Sequence, residues 1–237
     1  MAHEYACLQL QLAAGTEKPC ERILYAVTSY MDGIGMIPCG KETATRTVCF
    51  APTASGWTVF DDCADRLDLP SIDGLGRGLT GKLRTRAIGV LASPNGLMLR
   101  LYTNGRLRDI YVTSCKAFGR GQDFFGRLFC HGRCHGHALR WRACLMPGHA
   151  VGGLAKLFEQ GEVEGRAILP QLMPVLGLDQ TTAFGFSSLE EAGLEGLVWL
   201  HFRPANVIHS NFLTRVLHPA ARTVKPAAGI SPIPPER

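Results

Sequence analysis

The sequence predicts an α+β protein in which helices pack on a mixed or antiparallel sheet. Three observations lead to this class. Asn104-Gly105 lies between two strand-like runs and is typical of a two-residue type I′ hairpin turn, which we place at the centre of the fold. Apolar side chains at helical spacing occur before and after it. A hydrophobic fraction of 46% in 237 residues is enough for one substantial core.

The first 60 residues predict a strand, a helix and two further strands. Residues 5–12 alternate between apolar and polar side chains, as a strand does. Residues 17–31 have apolar side chains at helical spacing, and Pro19 is tolerated in a first turn. The glycine-containing residues 33–44 predict a loop, and short strands follow at 47–51 and 57–60.

Residues 65–84 combine helical spacing of leucines with four glycines, each of which weakens a helix by about 1 kcal/mol relative to alanine. Tertiary packing would have to compensate for that loss. Within this stretch Gly76 to Leu83 resembles a phosphate-binding Walker A loop, but Leu83 takes the position of the metal-binding Ser or Thr. No convincing buried strand precedes the motif, so the sequence does not favour nucleotide binding there.

The hairpin itself spans residues 97–112 and follows a predicted strand at 86–92 and a turn at 93–96. A regular ladder would pair Thr103 with Arg106 and Arg100 with Asp109, an ion pair across the strands. The same ladder predicts one shared apolar face, formed by Leu97, Leu99, Leu101, Ile110 and Val112.

The chain changes character after Ser114 and divides into four predicted segments. Residues 1–114 form the α+β domain, and 115–147 a basic, glycine-rich loop that is too long for an ordinary connection. Residues 148–217 are expected to pack on the first domain, and 218–237 form a proline-rich tail. Within 148–217 we expect three helices, at 149–160, 167–176 and 206–217, and two strands, at 182–186 and 197–202. Gly177 is expected to end the second of these helices.

The net charge of +5 is concentrated in the basic loop. Residues 115–149 contain six Lys or Arg and one Asp, so the remainder of the chain is neutral overall. Arginines alternate there with aromatic residues, the composition of a surface that binds a protein partner or stacks on nucleic acid. The predicted partner-binding residues are Phe118, Arg120, Phe124, Phe125, Arg127, Arg133, Arg140 and Trp141.

The same loop concentrates potential zinc ligands. Cys130, Cys134, His135 and His137 could complete a tetrahedral site, and Cys-x3-Cys is a known ligand spacing. There is no nearby Glu to serve as the general base of a zinc hydrolase, so a structural zinc is the form favoured. Zinc is the one cofactor that the sequence suggests, and no catalytic residues are predicted. The adjacent acids Asp61-Asp62 and Glu190-Glu191 are typical of capping or solvated charges.

Nine cysteines without a regular framework indicate a reducing compartment. The N-terminus lacks a basic leader region, and no apolar run reaches the roughly 18 residues of a membrane span. We therefore expect a cytoplasmic protein.

The order of WTVFDD, a leucine-rich helix, the strand AIGVLA and the hairpin LMLRLYTNGRLRDIYV resembles a group of poorly characterised bacterial cytosolic α+β proteins. The resemblance covers residues 57–118, and a weaker resemblance covers residues 154–202. Proteins of that group tend to have an acidic turn before the hairpin, whereas this chain has Ser-Pro-Asn-Gly at 93–96. The organisation also resembles immunity proteins, which neutralise a cognate toxin.

The function that these observations favour is non-enzymatic binding of an acidic protein partner, such as an immunity-type inhibitor binding a toxin or effector. Two alternatives stay open. One is a zinc-binding module or metal-dependent enzyme at residues 130–137, and the other is nucleic-acid binding through the basic aromatic loop.

Overall fold

The computed structural model describes residues 4–12, 15–64, 67–114, 118, 136–179, 185, 186, 189 and 196–205. The chain divides into two units, Met1–Pro204 and Ala205–Arg237. Only Ala205 of the second unit lies within the described residues, so the fold that follows is that of the first.

Eight strands in the described residues form one sheet in which all neighbouring strands are antiparallel. Their order in the sheet is β2-β8-β3-β4-β1-β5-β6-β7. The strands are β1 (Tyr5–Gln11), β2 (Met36–Pro38), β3 (Arg46–Thr53), β4 (Gly56–Asp61), β5 (Arg86–Ser93), β6 (Gly96–Thr103), β7 (Arg106–Val112) and β8 (Val198–Pro204). The predicted α+β class with an antiparallel sheet is therefore confirmed.

Helices cover both faces of this sheet. Helices α1 (Pro19–Gly33) and α2 (Leu69–Leu83) pack on one face, and α3 (Val151–Glu164) and α4 (Leu169–Leu176) on the other. A 3-10 helix at Ala138–Cys144 accompanies α3 and α4. Because the sheet separates two cores, its central strands β1 and β5 are buried on both sides and are largely apolar.

Strand β8 comes late in the chain but lies between β2 and β3 in the sheet. Residues 148–204 therefore complete the sheet begun by the first 114 residues.

Strand β2 was missed by sequence analysis, which predicted a loop there, because three residues give no periodicity. Gly177 follows α4 with φ of 62°, which confirms the predicted helix end. Most of the predicted strand at 182–186, the helix at 206–217 and the tail lie outside the described residues.

The glycines of α2 are packing positions in the middle of a helix, so the Walker-like motif has no loop with which to hold a phosphate. A Cβ atom on Gly76 would lie 2.7 Å from the Tyr102 ring, and one on Gly78 would lie 2.5 Å from the Tyr30 ring. Tyr30 belongs to α1 and Tyr102 to β6. Glycine thus lets α2 approach both α1 and the sheet closely, which is the compensation that its poor helix propensity requires.

The predicted type I′ turn is confirmed, since Asn104 and Gly105 have φ of 49° and 78°. The predicted ladder beyond it is wrong. Leu107 lies opposite Tyr102, but Asp109 lies opposite Leu101, so Arg108 is an extra, bulged residue. The bulge reverses the faces of every later residue in β7. Ile110 and Val112 contact the core beneath α1 and α2, whereas Tyr111 enters the core beneath α3.

The predicted Arg100–Asp109 ion pair is therefore absent, because the two side chains lie on opposite faces of the sheet. Arg100 instead pairs with Asp73 of α2, with Nη2 to Oδ2 at 2.8 Å and Nε to Oδ1 at 3.1 Å. The Tyr102 hydroxyl donates to the same carboxylate at 2.7 Å. This polar cluster fixes α2 to the sheet beside Gly76.

Replacing Gly76 with alanine should destabilise the protein. The added methyl group would overlap the Tyr102 ring, which is buried and held by Asp73, and overpacking of this kind costs about 1–3 kcal/mol. That cost exceeds the gain of about 1 kcal/mol in helix propensity. Denaturant unfolding measures the change. Gly153→Ala in α3 is the matched control, since nothing lies within 4 Å of its Cβ position, and a similar loss of stability in both variants would contradict the packing role.

Candidate functional site

Trp141 was predicted to be an exposed partner anchor, and that prediction is wrong. Its side chain is 0% exposed and lies edge-on to Phe158 of α3, with ring centroids 5.7 Å apart. Its indole Nε1–H donates to Asp109 Oδ2 at 2.7 Å. Part of the predicted loop, the 3-10 helix, therefore packs on the core beneath α3 and α4 through Trp141 and Cys144.

Asp109 holds this segment against the sheet. Its carboxylate is buried, at 6% exposure, and accepts the backbone N–H of His137 at 2.6 Å in addition to the Trp141 indole. Arg140 Nη1 forms an ion pair with Asp109 Oδ1 at 3.3 Å and donates to the carbonyl of Arg108 at 3.1 Å. The bulge at Arg108 makes these contacts possible, because it turns Asp109 towards the 3-10 helix.

A groove, which we call the basic groove, lies between this 3-10 helix and one end of the sheet. Two adjoining cavities of about 450 and 720 Å³ form it. Four of the residues at this end of the sheet are cross-strand neighbours in one row: Gln11, Arg86, Thr103 and Arg106. Ala143 and Cys144 of the 3-10 helix line both cavities, as do Arg86 and Thr103.

Four arginines line the basic groove: Arg84, Arg86, Arg108 and Arg140. None of the described residues that line the two cavities is acidic. Arg84 follows the last turn of α2, where a positive charge is favoured by the helix dipole, and Arg86 Nη1 donates to the Ala143 carbonyl. The described lining of the groove is thus a concave surface with only positive charges, which attracts anionic groups.

The basic region extends well beyond the predicted loop. Residues 74–150 hold thirteen Lys or Arg and two Asp, a net charge of +11, whereas the rest of the chain sums to −6. Of the two acids, Asp109 is already occupied by Trp141, His137 and Arg140. Sequence analysis missed Arg84, Arg86 and Arg108 because it counted charge only after Ser114. The cluster of arginines at 84, 86, 106 and 108, around the predicted strand end and hairpin turn, was the signal in the sequence that could have located this basic end.

Aliphatic side chains are exposed close to these arginines. Leu139, next to Arg140, is 70% exposed, and Met146, which lines the smaller cavity, is 37% exposed. Phe118, a predicted anchor, is partly buried against the core beneath α1 and α2. Of these two aliphatic residues only Met146 lines the groove; none of the described lining residues is aromatic, and Trp141 of the 3-10 helix is buried.

Several predicted site residues lie outside the described part of the chain: Arg120, Phe124, Phe125, Arg127, Cys130, Arg133, Cys134 and His135. Of the four predicted zinc ligands only His137 is described. Its side chain is exposed, and its backbone is fixed by Asp109. Zinc binding at this cluster stays a prediction.

A second cluster, which sequence analysis did not assemble, lies at the end of β4. Ligand atoms of Asp61, Asp62 and Cys63 are within 4.8 Å of one another. Arg46 occupies both oxygens of Asp61, with Nε to Oδ1 at 3.1 Å. The backbone N–H of Cys63 donates to Asp61 Oδ1 at 3.1 Å, and that of Thr47 to Asp62 Oδ2 at 2.9 Å. The chain's own donors thus take both oxygens of Asp61 and one of Asp62, so Arg46 and Asp61 form a structural ion pair, while Asp62 Oδ1 is buried without a hydrogen-bond partner among the described residues.

The thiols of Cys144, in the basic groove, and of Cys63, beside Asp61 and Asp62, are poorly suited to nucleophilic catalysis. Burial raises the pKa of the Cys144 thiol in the basic groove to about 11. Burial, followed by the carboxylates of Asp61 and Asp62, raises the pKa of Cys63 to about 11 as well. Both thiols are therefore protonated near neutral pH, whereas the thiolate is the nucleophile.

Comparisons of the chain with protein-family models, curated proteins and solved structures found no match. Among the helices in the described ranges, none combines the length and apolar character needed to cross a membrane.

Replacing Asp109 with asparagine should cost about 1–3 kcal/mol, because the amide oxygen can accept from His137 and Trp141 only if the NH₂ group faces the Arg140 guanidinium, which then loses its ion pair. Chemical denaturation measures the loss. Asp32→Asn provides the matched control, since Asp32 is exposed near the end of α1 and its replacement should change stability by less than about 0.5 kcal/mol. Equal stability of the Asp109→Asn variant and the wild type would show that Asp109 does not hold the 3-10 helix.

Proposed function

We propose that this chain is a non-enzymatic protein-binding protein that docks an acidic partner in the basic groove. The single observation that carries the proposal is the set of four arginines from four different elements around one concave surface that lacks acidic residues among its described lining. Like charges gathered in this way repel one another, and an anionic partner relieves that repulsion.

The exposed aliphatic residues favour a protein over a nucleic acid as the partner. Met146 lines the smaller cavity and offers apolar contact beside the arginines, and Leu139 is exposed next to Arg140 in the sequence; apolar and basic residues together are common at protein interfaces. Nucleic-acid surfaces that bind single strands use exposed aromatic rings for stacking. None of the described lining residues of the groove is aromatic, and the neighbouring Trp141 is buried, so the described surface offers no stacking platform.

A toxin or effector is the partner class that the resemblance to immunity proteins suggests. Such an inhibitor needs charge complementarity and a rigid surface, and no chemistry of its own. The basic groove meets the first requirement through its arginines and the second through the Asp109 contacts that fix its wall. The raised pKa values of Cys63 and Cys144 are also consistent with a binding role.

Charge reversal at Arg84 and Arg108 tests the proposal. Both side chains are exposed, so Arg84→Glu with Arg108→Glu should leave the fold intact. Affinity capture with the tagged full chain, quantified by mass spectrometry, should recover an acidic protein in a salt-sensitive manner. The double variant should recover at least about tenfold less of it, because its groove would repel an anionic surface.

The matched control is Arg22→Glu with Lys156→Glu, which changes the net charge equally on exposed faces of α1 and α3. This variant should capture the partner as well as the wild type does. Equal losses in the two variants would show that net charge, and not the groove, governs capture. Recovery of nuclease-sensitive material in place of a protein would replace the proposal with nucleic-acid binding.

A further inference from the structure

The smaller cavity of the basic groove, of about 450 Å³, has two charged residues in its described lining, Arg84 and Arg86. The larger cavity shares Arg86 and adds Arg108 and Arg140, of which Arg140 is already paired with Asp109. Two guanidinium groups therefore line the smaller cavity, and no acid in its described lining balances them.

The backbone that carries these two arginines is fixed through Thr85, the residue between them. The Thr85 N–H donates to the Thr80 carbonyl at 3.2 Å, and the Thr85 carbonyl accepts the N–H of Asn104 at 3.0 Å. The Thr85 hydroxyl donates to the carbonyl of Gln11. These bonds join the end of α2 to the hairpin turn and to β1. The arginines thus extend from a preorganised backbone, which reduces the entropy lost when a ligand binds.

Several polar groups that line the smaller cavity are unused donors. The Arg84 guanidinium, the Thr103 hydroxyl and the Asn104 side-chain amide make no hydrogen bond to any other group in the described ranges. Arg86 Nη1 donates to the Ala143 carbonyl, and Thr103 lies opposite Arg86 in the ladder between β5 and β6. Donors from the end of α2, from β5 and from the hairpin turn therefore converge on one cavity.

This set of donors suits a phosphate monoester better than a carboxylate. A phosphorylated Ser or Thr has a charge of about −1.5 to −2 at neutral pH and three terminal oxygens, whereas a carboxylate has one charge and two oxygens. The two arginines of the smaller cavity match the phosphate dianion in charge. A phosphodiester of nucleic acid has a single charge per phosphate, so it matches less well. Arginine binds phosphate in bidentate geometry, and clusters of arginine recognise phosphorylated segments of proteins.

We propose that the smaller cavity binds a phosphorylated Ser or Thr side chain of the acidic partner. Arg84 and Arg86 pair with the phosphate oxygens, and Thr103 and Asn104 donate further hydrogen bonds to them. Arg108, in the adjoining larger cavity, is placed to pair with carboxylates that flank the phosphate. This inference rests on the proposed function and specifies the chemical group by which the partner is recognised.

The probe that tests this is a capped pentapeptide, Gly-Ala-phosphoserine-Ala-Gly, compared with the same peptide carrying Ser or Glu at its centre. Amide chemical shifts of the ¹⁵N-labelled full chain report weak binding residue by residue. The phosphopeptide should shift the amides of Thr85, Thr103 and Asn104. It should bind at least about tenfold more tightly than the Glu peptide, because it has a second charge and a third oxygen for the arginines and their neighbours.

Two arginines of the same groove provide a variant and its matched control. Among the described lining residues, Arg84 belongs to the smaller cavity alone and Arg108 to the larger alone, and both side chains are exposed. Arg84→Gln should weaken phosphopeptide binding at least about tenfold, whereas Arg108→Gln should weaken it less than about threefold. Thr103→Val, which leaves the net charge unchanged, should weaken it about tenfold through loss of the hydroxyl donor.

Four results would overturn the inference. The phosphopeptide shifts no amide of the groove, or the three peptides bind equally well. Neither Arg84→Gln nor Thr103→Val weakens binding more than Arg108→Gln does. Inorganic phosphate binds as tightly as the phosphopeptide, which would indicate a site for the free ion and not for a phosphorylated side chain.

Phosphatase treatment of the lysate before affinity capture separates failure of this inference from failure of the proposed function. Recovery of the acidic partner should fall at least about tenfold after treatment. If capture depends on Arg84 and Arg108 but not on phosphatase, carboxylates of the partner occupy the groove and only this inference fails. If capture is also independent of these arginines, both proposals fail.

Discussion

The buried carboxylate of Asp109 is the contact on which the basic groove depends. A carboxylate in an apolar core is costly unless donors surround it, and here three groups from residues 137–141 provide them. The one-residue bulge at Arg108 directs Asp109 towards those donors. The same bulge leaves Arg108 itself exposed at the groove, so one irregularity in β7 both fixes the wall and adds to the charge.

Four arginines at one end of a sheet repel one another, so neighbouring groups must offset part of that repulsion. Each arginine of the basic groove belongs to a different local setting: the end of α2, the start of β5, the bulge in β7 and the 3-10 helix. Their mutual repulsion is moderated by solvent, by the dipole of α2 at Arg84, by the Ala143 carbonyl at Arg86 and by Asp109 at Arg140. Strands β5 and β7, the end of α2 and the 3-10 helix place the four side chains around the two adjoining cavities, whose described lining contains no acid.

The glycine-rich helix α2 illustrates how one pattern can serve two physical purposes. Spaced glycines before a lysine are typical of phosphate loops, where backbone N–H groups face the ligand. In this chain the same glycines face the rings of Tyr30 and Tyr102, and the hairpin glycine Gly105 approaches Gly81. The decisive difference is that the motif lies in the middle of a helix, where the backbone N–H groups are already bonded within the helix.

The sequence by itself determined the α+β class, helix α1 and the type I′ turn, because these depend on local periodicity and on residues that tolerate positive φ, whereas its four glycines left α2 ambiguous until packing decided it. It also located the basic character of residues 115–149. Tertiary structure decided the bulge at Arg108, since a single extra residue changes no local pattern yet reverses the faces of all that follows. That reversal turned Asp109 towards the indole of Trp141, which lies in the core and not at the surface, whereas the pairing of β5 with β1 and β6 places Arg86 at the same end of the sheet. The groove is therefore a consequence of strand pairing, which no stretch of the sequence contains alone.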